Sequence, residues 1–167
     1  MVKLNLPEYQ FRIQKSEKGL HIFDPIRKKF VALTPEEWVR QNFIQYLIEE
    51  KKYPASLIAV ETGLKYNRLK KRSDITVYDR NGNIWMIIEC KAPEVKISQD
   101  TFDQVATYNM SHRKDAGAKG LHQGQGALTK FLAVTNGLKH FCCEMTLRDS
   151  NATNQPNYTF LKDFPSF

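Results

Sequence analysis

Residues 73–91, SDITVYDRNGNIWMIIECK, decide the fold. Two runs rich in β-branched and aromatic residues flank Asn81-Gly82, the strongest short-range signal for a β-hairpin, because both residues of a tight two-residue turn adopt positive φ. The pattern predicts strands over 73–79 and 83–91. Counting outward from a two-residue turn gives these facing pairs: Arg80 and Asn83, Tyr78 and Trp85, Thr76 and Ile87, Asp74 and Glu89.

The last of these pairs places two carboxylates directly across the hairpin, with Cβ atoms about 4.5–5.5 Å apart. Asp74 and Glu89 repel each other unless a positive charge lies between them. Mg²⁺ prefers one or two carboxylates plus water and phosphate oxygens, so a divalent cation is the natural candidate. Lys91 shares the face of Glu89, because side chains alternate along a strand, and a lysine there can orient or help deprotonate an attacking water. The arrangement is suited to phosphodiester hydrolysis.

Asp74 shares a face with Glu89 only if the loop has two residues, because a three-residue loop shifts the register by one. The alternative interpretation is an exposed Glu89–Lys91 salt bridge, with Asp74 as an ordinary turn residue. If the two acids do form a site, Glu89→Gln or Asp74→Asn leaves the metal-free fold as stable or more stable. Either change then abolishes stabilisation by metal.

The next segment, residues 98–108, predicts a helix with Ser98 as its N-cap. Gln104 and Tyr108 are four residues apart and therefore share a face. Taken alone, such a pair is more often a half-exposed surface feature than a substrate contact. Its closeness to the Glu-x-Lys strand favours a place in the same site.

Together, Asp74, Glu89-Cys90-Lys91 and Gln104-x-x-x-Tyr108 resemble the PD-(D/E)XK nuclease superfamily in its Gln-x-x-x-Tyr branch. The likeness runs from about residue 26 to about residue 145 and is closest to the N-terminal nuclease domain of type I restriction enzyme R subunits. Four segments carry that narrower likeness: Thr34 to Gln41, Lys71 to Ile75, Ile88 to Pro93, and Val134 to Gly137.

The resemblance implies a DNA endonuclease that depends on Mg²⁺, with Mn²⁺ as a substitute. It implies Asp74 and Glu89 as metal ligands and Lys91 as the catalytic lysine, with Gln104 and Tyr108 near the scissile phosphate or the DNA backbone. Ser73 stands where the superfamily has proline, which matters little because the carboxylate performs the chemistry. The implied function is the nuclease unit of a type I-like restriction-modification system.

R subunits also carry a DNA-translocating motor. The 167 residues contain no Gly-x-x-x-x-Gly-Lys-Ser/Thr phosphate loop, so this polypeptide by itself has no ATP-driven motor. We therefore expect DNA as a partner, and the polypeptide is either a stand-alone member, a nuclease fragment, or a component that works with separate motor, specificity and methylation subunits. A non-catalytic nucleic-acid-binding or partner-docking module that keeps the nuclease fold is the alternative function, and a generic scaffold domain is the third.

Glu37 has two interpretations of about equal weight. The resemblance offers it as an acid contributed to the site by the first helix. Equally, Thr34 as N-cap, Pro35 at the first helical position and Glu37 at the third form a capping box, which explains the residue without catalysis. Helical projection does not separate Glu36 from Glu37, because both lie near the edge of the apolar face.

The charge balance favours a polyanionic partner, with a net charge of +7 and a pI near 9.3. A basic run leads directly into Asp74 and is the predicted DNA-phosphate contact, formed by Lys65, Arg68, Lys70, Lys71 and Arg72. A charge run is usually a solvated face, but this one adjoins the predicted site. Binding through it should be independent of base sequence and sensitive to salt.

The predicted architecture is α/β and restriction-endonuclease-like: a mixed central β-sheet flanked by helices, in a single domain over 1–167. Its parts are an N-terminal β-ribbon (1–33), a catalytic core (34–145) containing a flexible loop (111–127), and a C-terminal tail (146–167) with an edge strand. The ribbon precedes a helix from Thr34 to about residue 50, and a strand follows over 57–61, where Glu61 is a spare acid. The cysteines show no metal-ligand spacing and no run of ~20 apolar residues occurs, so we expect reduced thiols and a cytoplasmic protein.

Overall fold

The computed structural model describes residues 1–17, 19–61, 73–98, 101–102, 129–147 and 156–167. This part of the chain is a mixed α/β structure with two β-sheets and one α-helix, α1, at Pro35–Glu49. A 3-10 turn at Ala55–Leu57 follows the helix. The strands are β1 (Ile13–Ser16), β2 (Gly19–Asp24), β3 (Lys29–Ala32), β4 (Ile58–Val60), β5 (Ile75–Tyr78), β6 (Ile84–Cys90), β7 (Phe131–Thr135), β8 (His140–Leu147) and β9 (Pro156–Phe160).

The predicted N-terminal β-ribbon is confirmed as a three-stranded antiparallel sheet in the order β1-β2-β3. The turn between β2 and β3 is fixed by Asp24, whose buried Oδ1 accepts hydrogen bonds from the backbone N–H groups of Ile26 (2.7 Å) and Arg27 (2.8 Å). Such side-chain acceptors satisfy donors that a tight turn leaves free. This turn carries Arg27 toward helix α1.

The second sheet has six strands in the order β4-β5-β6-β7-β8-β9. Strands β6 and β7 are parallel, and every other neighbouring pair is antiparallel, so the predicted mixed sheet is confirmed. The edge strand predicted in the C-terminal tail is β9, which pairs with β8. The strand predicted over 57–61 is β4, at the opposite edge.

The predicted two-residue turn is wrong. The N–H of Asp79 donates to the carbonyl of Asn83 (2.8 Å), and the N–H of Gly82 donates to the carbonyl of Asp79 (3.1 Å), so the loop has three residues. Gly82 has φ +83°, whereas Asn81 is not in the left-handed region. The Asp79 carboxylate stabilises the three-residue loop, because its Oδ1 accepts hydrogen bonds from the N–H groups of Asn81 (2.9 Å) and Asn83 (2.8 Å).

A β-bulge restores the register that the longer loop shifts. Tyr78 pairs with Ile84 and Val77 pairs with Met86, which leaves Trp85 as an extra residue, so the predicted pairs Tyr78–Trp85 and Arg80–Asn83 are wrong. The indole N–H of Trp85 donates to the hydroxyl of Tyr53 (3.2 Å). Beyond the bulge, Thr76 pairs with Ile87 and Ile75 with Ile88, as predicted. The same register, continued by one residue, places Asp74 opposite Glu89.

Helix α1 begins after Thr34, whose Oγ1 accepts a hydrogen bond from the N–H of Glu37 (3.1 Å) as the sequence predicts. Its apolar side chains Val39, Phe43 and Leu47 are fully buried against one face of the six-stranded sheet. Each such residue contributes about 1.5–3 kcal/mol by leaving water. The packing holds the first two turns of α1 beside the end of β6 where the predicted acids lie.

The opposite face of the sheet buries Ile87, Leu132 and Val134, with Phe102 packed on them. Thr101 and Phe102 are helical, where the sequence predicts the start of the second helix. The rest of that helix, with Gln104 and Tyr108, lies outside the described residues, as does the loop predicted at 111–127. A helix on one face of the sheet is therefore observed, whereas the flanking of both faces stays a prediction.

All three cysteines are free and buried. Burial raises the pKa of the Cys142 thiol to about 12 and that of Cys143 to about 11, so these thiols are not ionised at neutral pH. In the part of the chain described above, no helix is both long enough and apolar enough to cross a membrane.

Candidate active site at the open end of the β5–β6 hairpin

Asp74 immediately precedes β5, and its carboxylate is held by two different elements. Oδ1 accepts from Nη2 of Arg40 on helix α1 (2.6 Å), and Oδ2 accepts from the backbone N–H of Cys90 on β6 (2.7 Å). The side chain is 14% exposed. Both oxygens are therefore fixed in direction, and the carboxylate keeps a path to solvent.

Glu89 alternates along β6 with Ile88 and Cys90, which pack with α1, so its side chain lies on the other face of the sheet. Oε1 of Glu89 accepts a hydrogen bond from Nζ of Lys91 (2.6 Å), and both side chains are partly exposed. The two residues thus meet as the alternation predicts. The Glu89–Lys91 salt bridge of the alternative interpretation is formed as well.

Electrostatic interactions link Glu89 to Asp74. Burial raises the pKa of Glu89, and the negative charge of Asp74 raises it further, although the hydrogen bond from Lys91 lowers it. The pKa of Lys91 is raised: burial lowers it, but the hydrogen bond with Glu89 and the charges of Glu89, Asp74 and Glu36 outweigh burial. Lys91 is therefore a positively charged donor at neutral pH.

Glu36 is a third acid in this environment, and sequence reasoning did not select it. Burial raises its pKa and the charge of Asp74 raises it further, whereas Arg40 and Lys91 lower it. Its side chain is 44% exposed, and its Oε1 lies 3.3 Å from Nη2 of Arg40. The available signal was its place in the first turn of α1, which the helical projection could not separate from that of Glu37.

Glu37 is linked to Asp74 through Arg40, which binds both carboxylates. Its buried carboxylate accepts hydrogen bonds from Nη2 of Arg27 (2.6 Å), Nη1 of Arg40 and Nε2 of Gln41 (2.8 Å). The N–H of Thr34 donates to the carbonyl of Ala32 (3.1 Å) and not to Glu37. The capping box is therefore wrong in its reciprocal half, because the Glu37 side chain pairs with arginines instead. Whether Glu37 takes part in catalysis stays a prediction.

Two arginines join five acids into one network, beside which Glu89 pairs with Lys91. Arg27 binds Asp24, Glu37 and Glu61, and Arg40 binds Glu36, Glu37, Glu61 and Asp74. We call the whole set the acidic cluster; its members are Asp24, Glu36, Glu37, Glu61, Asp74 and Glu89, with Arg27, Arg40 and Lys91. Six carboxylates and three cationic side chains give it a formal charge of −3, in a chain of +7.

This local excess of negative charge is the kind of environment that a divalent cation relieves. Mg²⁺ takes one or two carboxylates from a protein, and Asp74 and Glu89 would be those carboxylates here. The described residues contain no group of three or more His, Cys, Asp or Glu side chains arranged to hold a metal ion. The donor set therefore fits a cation that keeps most of its ligands as water or phosphate oxygens.

The predicted DNA-contact residues Lys65, Arg68, Lys70, Lys71 and Arg72 lie outside the described residues. The residues that flank this segment are nevertheless joined, because the N–H of Glu61 donates to the carbonyl of Asp74 (3.0 Å). Glu61 has φ +51°, a conformation uncommon for a residue with a side chain. The described residues on either side of the basic segment, Glu61 and Asp74, are thus both members of the acidic cluster.

Residues 35–117 match the family model described as type I restriction enzyme R protein N terminus. The matched range contains α1, β5 and β6, and with them Arg40, Asp74, Glu89 and Lys91. No curated protein matches the chain at a significant level.

Proposed function

Over residues 35–117 the chain belongs to the type I restriction enzyme R protein N-terminal family, and we propose that it is the metal-dependent DNA endonuclease of such a restriction system. The proposal includes the PD-(D/E)XK type of site and the restriction-endonuclease type of fold, with helices on both faces of the sheet. Its substrate is the phosphodiester backbone of DNA, and its proposed partners are the motor, specificity and methylation subunits.

The observation that carries this proposal is the meeting of Asp74, Glu89 and Lys91 at one end of the hairpin, inside a cluster of formal charge −3. Asp74 and Glu89 would hold Mg²⁺ or Mn²⁺. When bound, the ion lowers the pKa of its water and screens the charge that develops on the phosphate.

Lys91 acts as a donor and not as a base in this proposal. Its pKa is raised by Glu89, Asp74 and Glu36, which keeps the ammonium protonated at neutral pH. A protonated lysine can donate to a non-bridging phosphate oxygen and orient the attacking water, but it cannot accept a proton. The hydrogen bond with Glu89 holds Nζ at the site in the absence of DNA.

Glu36 is the acid of the first helix that we propose to face the reaction. Its carboxylate is partly exposed, and its pKa is raised by burial and by Asp74, which brings the group closer to the pH range of a useful proton acceptor. Glu37, which the sequence offered for this place, is buried and bound by two arginines. We therefore propose Glu36 for proton acceptance and Glu37 for support.

DNA binding is proposed to extend along the basic segment that includes Lys65, Arg68, Lys70, Lys71 and Arg72. The hydrogen bond between Glu61 and Asp74 supports this, because it joins the described residues that flank the segment within the acidic cluster. Phosphate contacts from such residues position DNA without reading its sequence.

A non-catalytic module that binds nucleic acid or docks a partner is the second candidate function. It is favoured by one observation: Arg40 and Lys91 already supply positive charge to Asp74 and Glu89 without a metal ion. A protein of this kind would bind DNA in a salt-sensitive way and would not cut it.

Nicking of supercoiled plasmid separates the two candidates. The reactions contain wild type, Lys91→Ala, Glu89→Gln and a control variant, Lys162→Ala, which removes an exposed lysine that has no contact in the acidic cluster. We expect nicking in Mg²⁺ or Mn²⁺ by wild type and Lys162→Ala, a loss of at least about 100-fold in the two site variants, and none in chelator. Salt-sensitive DNA binding by wild type without nicking would overturn the proposal in favour of the binding module.

A further inference from the structure

Arg40 is a buried arginine on helix α1 whose guanidinium contacts Asp74 at the proposed site. We propose that Arg40 is a positioning residue, which fixes the direction of the Asp74 carboxylate so that this carboxylate can bind the metal ion. The inference rests on the proposed function, because it assigns Asp74 the role of a ligand.

The geometry gives Asp74 two rigid supports. Nη2 of Arg40 lies 2.6 Å from Oδ1, and the backbone N–H of Cys90 lies 2.7 Å from Oδ2. Arg40 belongs to α1 and Cys90 to β6, the two elements whose packing forms much of the core. The direction of the carboxylate is therefore set by the packing of a helix on a strand and not by the loop that precedes β5.

Arg40 is itself held in place by further acids, of which only Glu36, 3.3 Å from Nη2, is proposed to face the reaction. Nη1 binds the buried Glu37 and lies 3.3 Å from Oε1 of Glu61. The side chain of Arg40 is 6% exposed. Groups that orient a metal ligand through hydrogen bonds typically change metal affinity or activity by about 10–100-fold when they are altered.

The contacts require an arginine. A guanidinium is a planar fork whose separate N–H groups bind several carboxylates at fixed angles, whereas an ammonium is a single point of charge. Nη1 and Nη2 of Arg40 reach Asp74 and Glu37 together, and Nε has no hydrogen-bond partner among the described residues. A lysine at this position keeps the charge but cannot bind both carboxylates in the same geometry.

The charge of Arg40 is permanent. Burial alone lowers its pKa, but the charges of Asp74 and Glu37 raise it above the ordinary value of arginine. The resulting positive charge partly offsets the repulsion of Asp74 by Glu36 and Glu89, and a bound metal ion would offset the remainder. Arg40 thus allows the acids to stay together before the ion binds.

The test compares Arg40→Lys with Arg27→Lys. Arg27 is a matched control, because it is also a largely buried arginine in the acidic cluster, and its three acidic partners do not include Asp74. Two quantities are measured: the Mg²⁺ concentration for half of the metal-induced rise in Tm, and the Mg²⁺ concentration for half-maximal nicking. The first does not depend on catalysis.

We expect both variants to lower Tm in chelator. Only Arg40→Lys should raise the half-saturating Mg²⁺ concentration, by about 10–100-fold. Equal Mg²⁺ dependence in Arg40→Lys, Arg27→Lys and wild type would overturn the inference. If Arg40→Lys does not fold, Arg40→Gln and Arg27→Gln are compared in the same way, and failure of both Arg40 variants to fold beside folded Arg27 variants would show a purely structural role.

The two measurements also separate this inference from the proposed function. If Mg²⁺ stabilises wild type but wild type does not nick DNA, the proposed nuclease activity is contradicted. The Tm measurements would still test the positioning role of Arg40. A wild type that nicks DNA with the same Mg²⁺ dependence as Arg40→Lys would contradict only the role of Arg40. A wild type that Mg²⁺ neither stabilises nor activates would overturn both.

Discussion

Glu37 and Glu36 are neighbours in the sequence, yet they lie in opposite halves of the acidic cluster. Glu37 belongs to a buried half with Asp24, Arg27 and Arg40, in which each carboxylate is bound by an arginine. Glu36 belongs to a partly exposed open half with Glu89 and Lys91, in which Lys91 pairs with Glu89 and Oε1 of Glu36 lies 3.3 Å from Nη2 of Arg40.

The buried half supports the structure, whereas the open half is the one that we propose to react. A buried charge is tolerated only when it is paired and hydrogen-bonded, so the buried half is compensated and rigid. In the open half, burial raises the pKa values of Glu36 and Glu89, and the negative charge of Asp74 raises both further. A cation or a phosphate-bound metal ion would relieve the repulsion by Asp74, whereas the buried half needs nothing more.

The largest effect is expected from Glu37→Gln. The substitution leaves Arg27 and Arg40 without the carboxylate they share, and breaking a buried ion pair costs about 3–5 kcal/mol. Urea unfolding measures the change, with Glu36→Gln as the control, which should stay within about 0.5 kcal/mol of wild type. Equal losses for the two variants would erase the distinction between the halves.

Arg27→Met should have the next largest effect. It removes the link from the β2–β3 turn to Glu37 and Glu61 and leaves the buried carboxylate of Asp24 without its ion pair, at a cost of about 1–3 kcal/mol. Urea unfolding gives the loss, and amide exchange at Ile26, whose N–H binds Asp24, shows where it acts. The exposed neighbour Lys28→Met serves as control; a similar loss there would contradict the role given to Arg27.

Asp74→Asn and Glu89→Gln should differ, although the sequence predicts the same result for both. Asp74→Asn deprives Arg40 of a charged partner and should cost about 1–3 kcal/mol without metal. Glu89→Gln relieves repulsion and should change stability by less than about 1 kcal/mol, in the stabilising direction or not at all. Thermal unfolding in chelator measures both, and a stabilised Asp74→Asn would contradict the support that Arg40 provides.

Both of these substitutions should abolish the rise in Tm that Mg²⁺ produces in wild type, because each removes a proposed ligand. Lys162→Ala should retain the full rise. A normal rise in Glu89→Gln would remove Glu89 from the proposed metal site while leaving its repulsion with Asp74 intact.

The smallest expected effect is a pH dependence of the free energy of unfolding that arises from Glu36 and Glu89 in the open half. The folded-state pKa values of Glu36 and Glu89 are raised above the ordinary value of 4.5, so the folded state binds protons more readily than the unfolded state. Their contribution to stability is therefore unfavourable at neutral pH and is relieved as pH falls through the raised values toward 4.5.

The measurement compares the free energy of unfolding of wild type and Glu36→Gln/Glu89→Gln between pH 7 and pH 4.5, in chelator. The double variant should be the more stable at pH 7, and its advantage should shrink as pH falls. An advantage that grows toward low pH would show that the two carboxylates are stabilised in their charged form, contrary to the description of the open half.

Local patterns in the sequence carried much of the fold. Thr34 and Pro35 fixed the start of α1, the strands around Asn81-Gly82 were identified, and Lys91 contacts Glu89 as the alternation required. The register of Asp74 against Glu89 was right for an incomplete reason, because a three-residue loop and a bulge at Trp85 cancel each other. The Asp79 carboxylate stabilises that loop by a hydrogen bond from Asn83, and Trp85 donates a hydrogen bond to Tyr53. The sequence pattern around Asn-Gly predicts neither contact.

The sequence by itself determined that Lys91 lies beside Glu89, since side chains alternate along a strand, and it predicts Asp74, Glu89 and Lys91 as the residues of the proposed site. Only the tertiary structure decided how the acids are divided, because the decisive partners are far apart along the chain. Arg40 and Asp74 are separated by 34 positions and Arg40 and Glu61 by 21, so no helix or strand period relates them. The packing of α1 on the sheet brings them together, turning Glu37 inward and leaving Glu36 at the site.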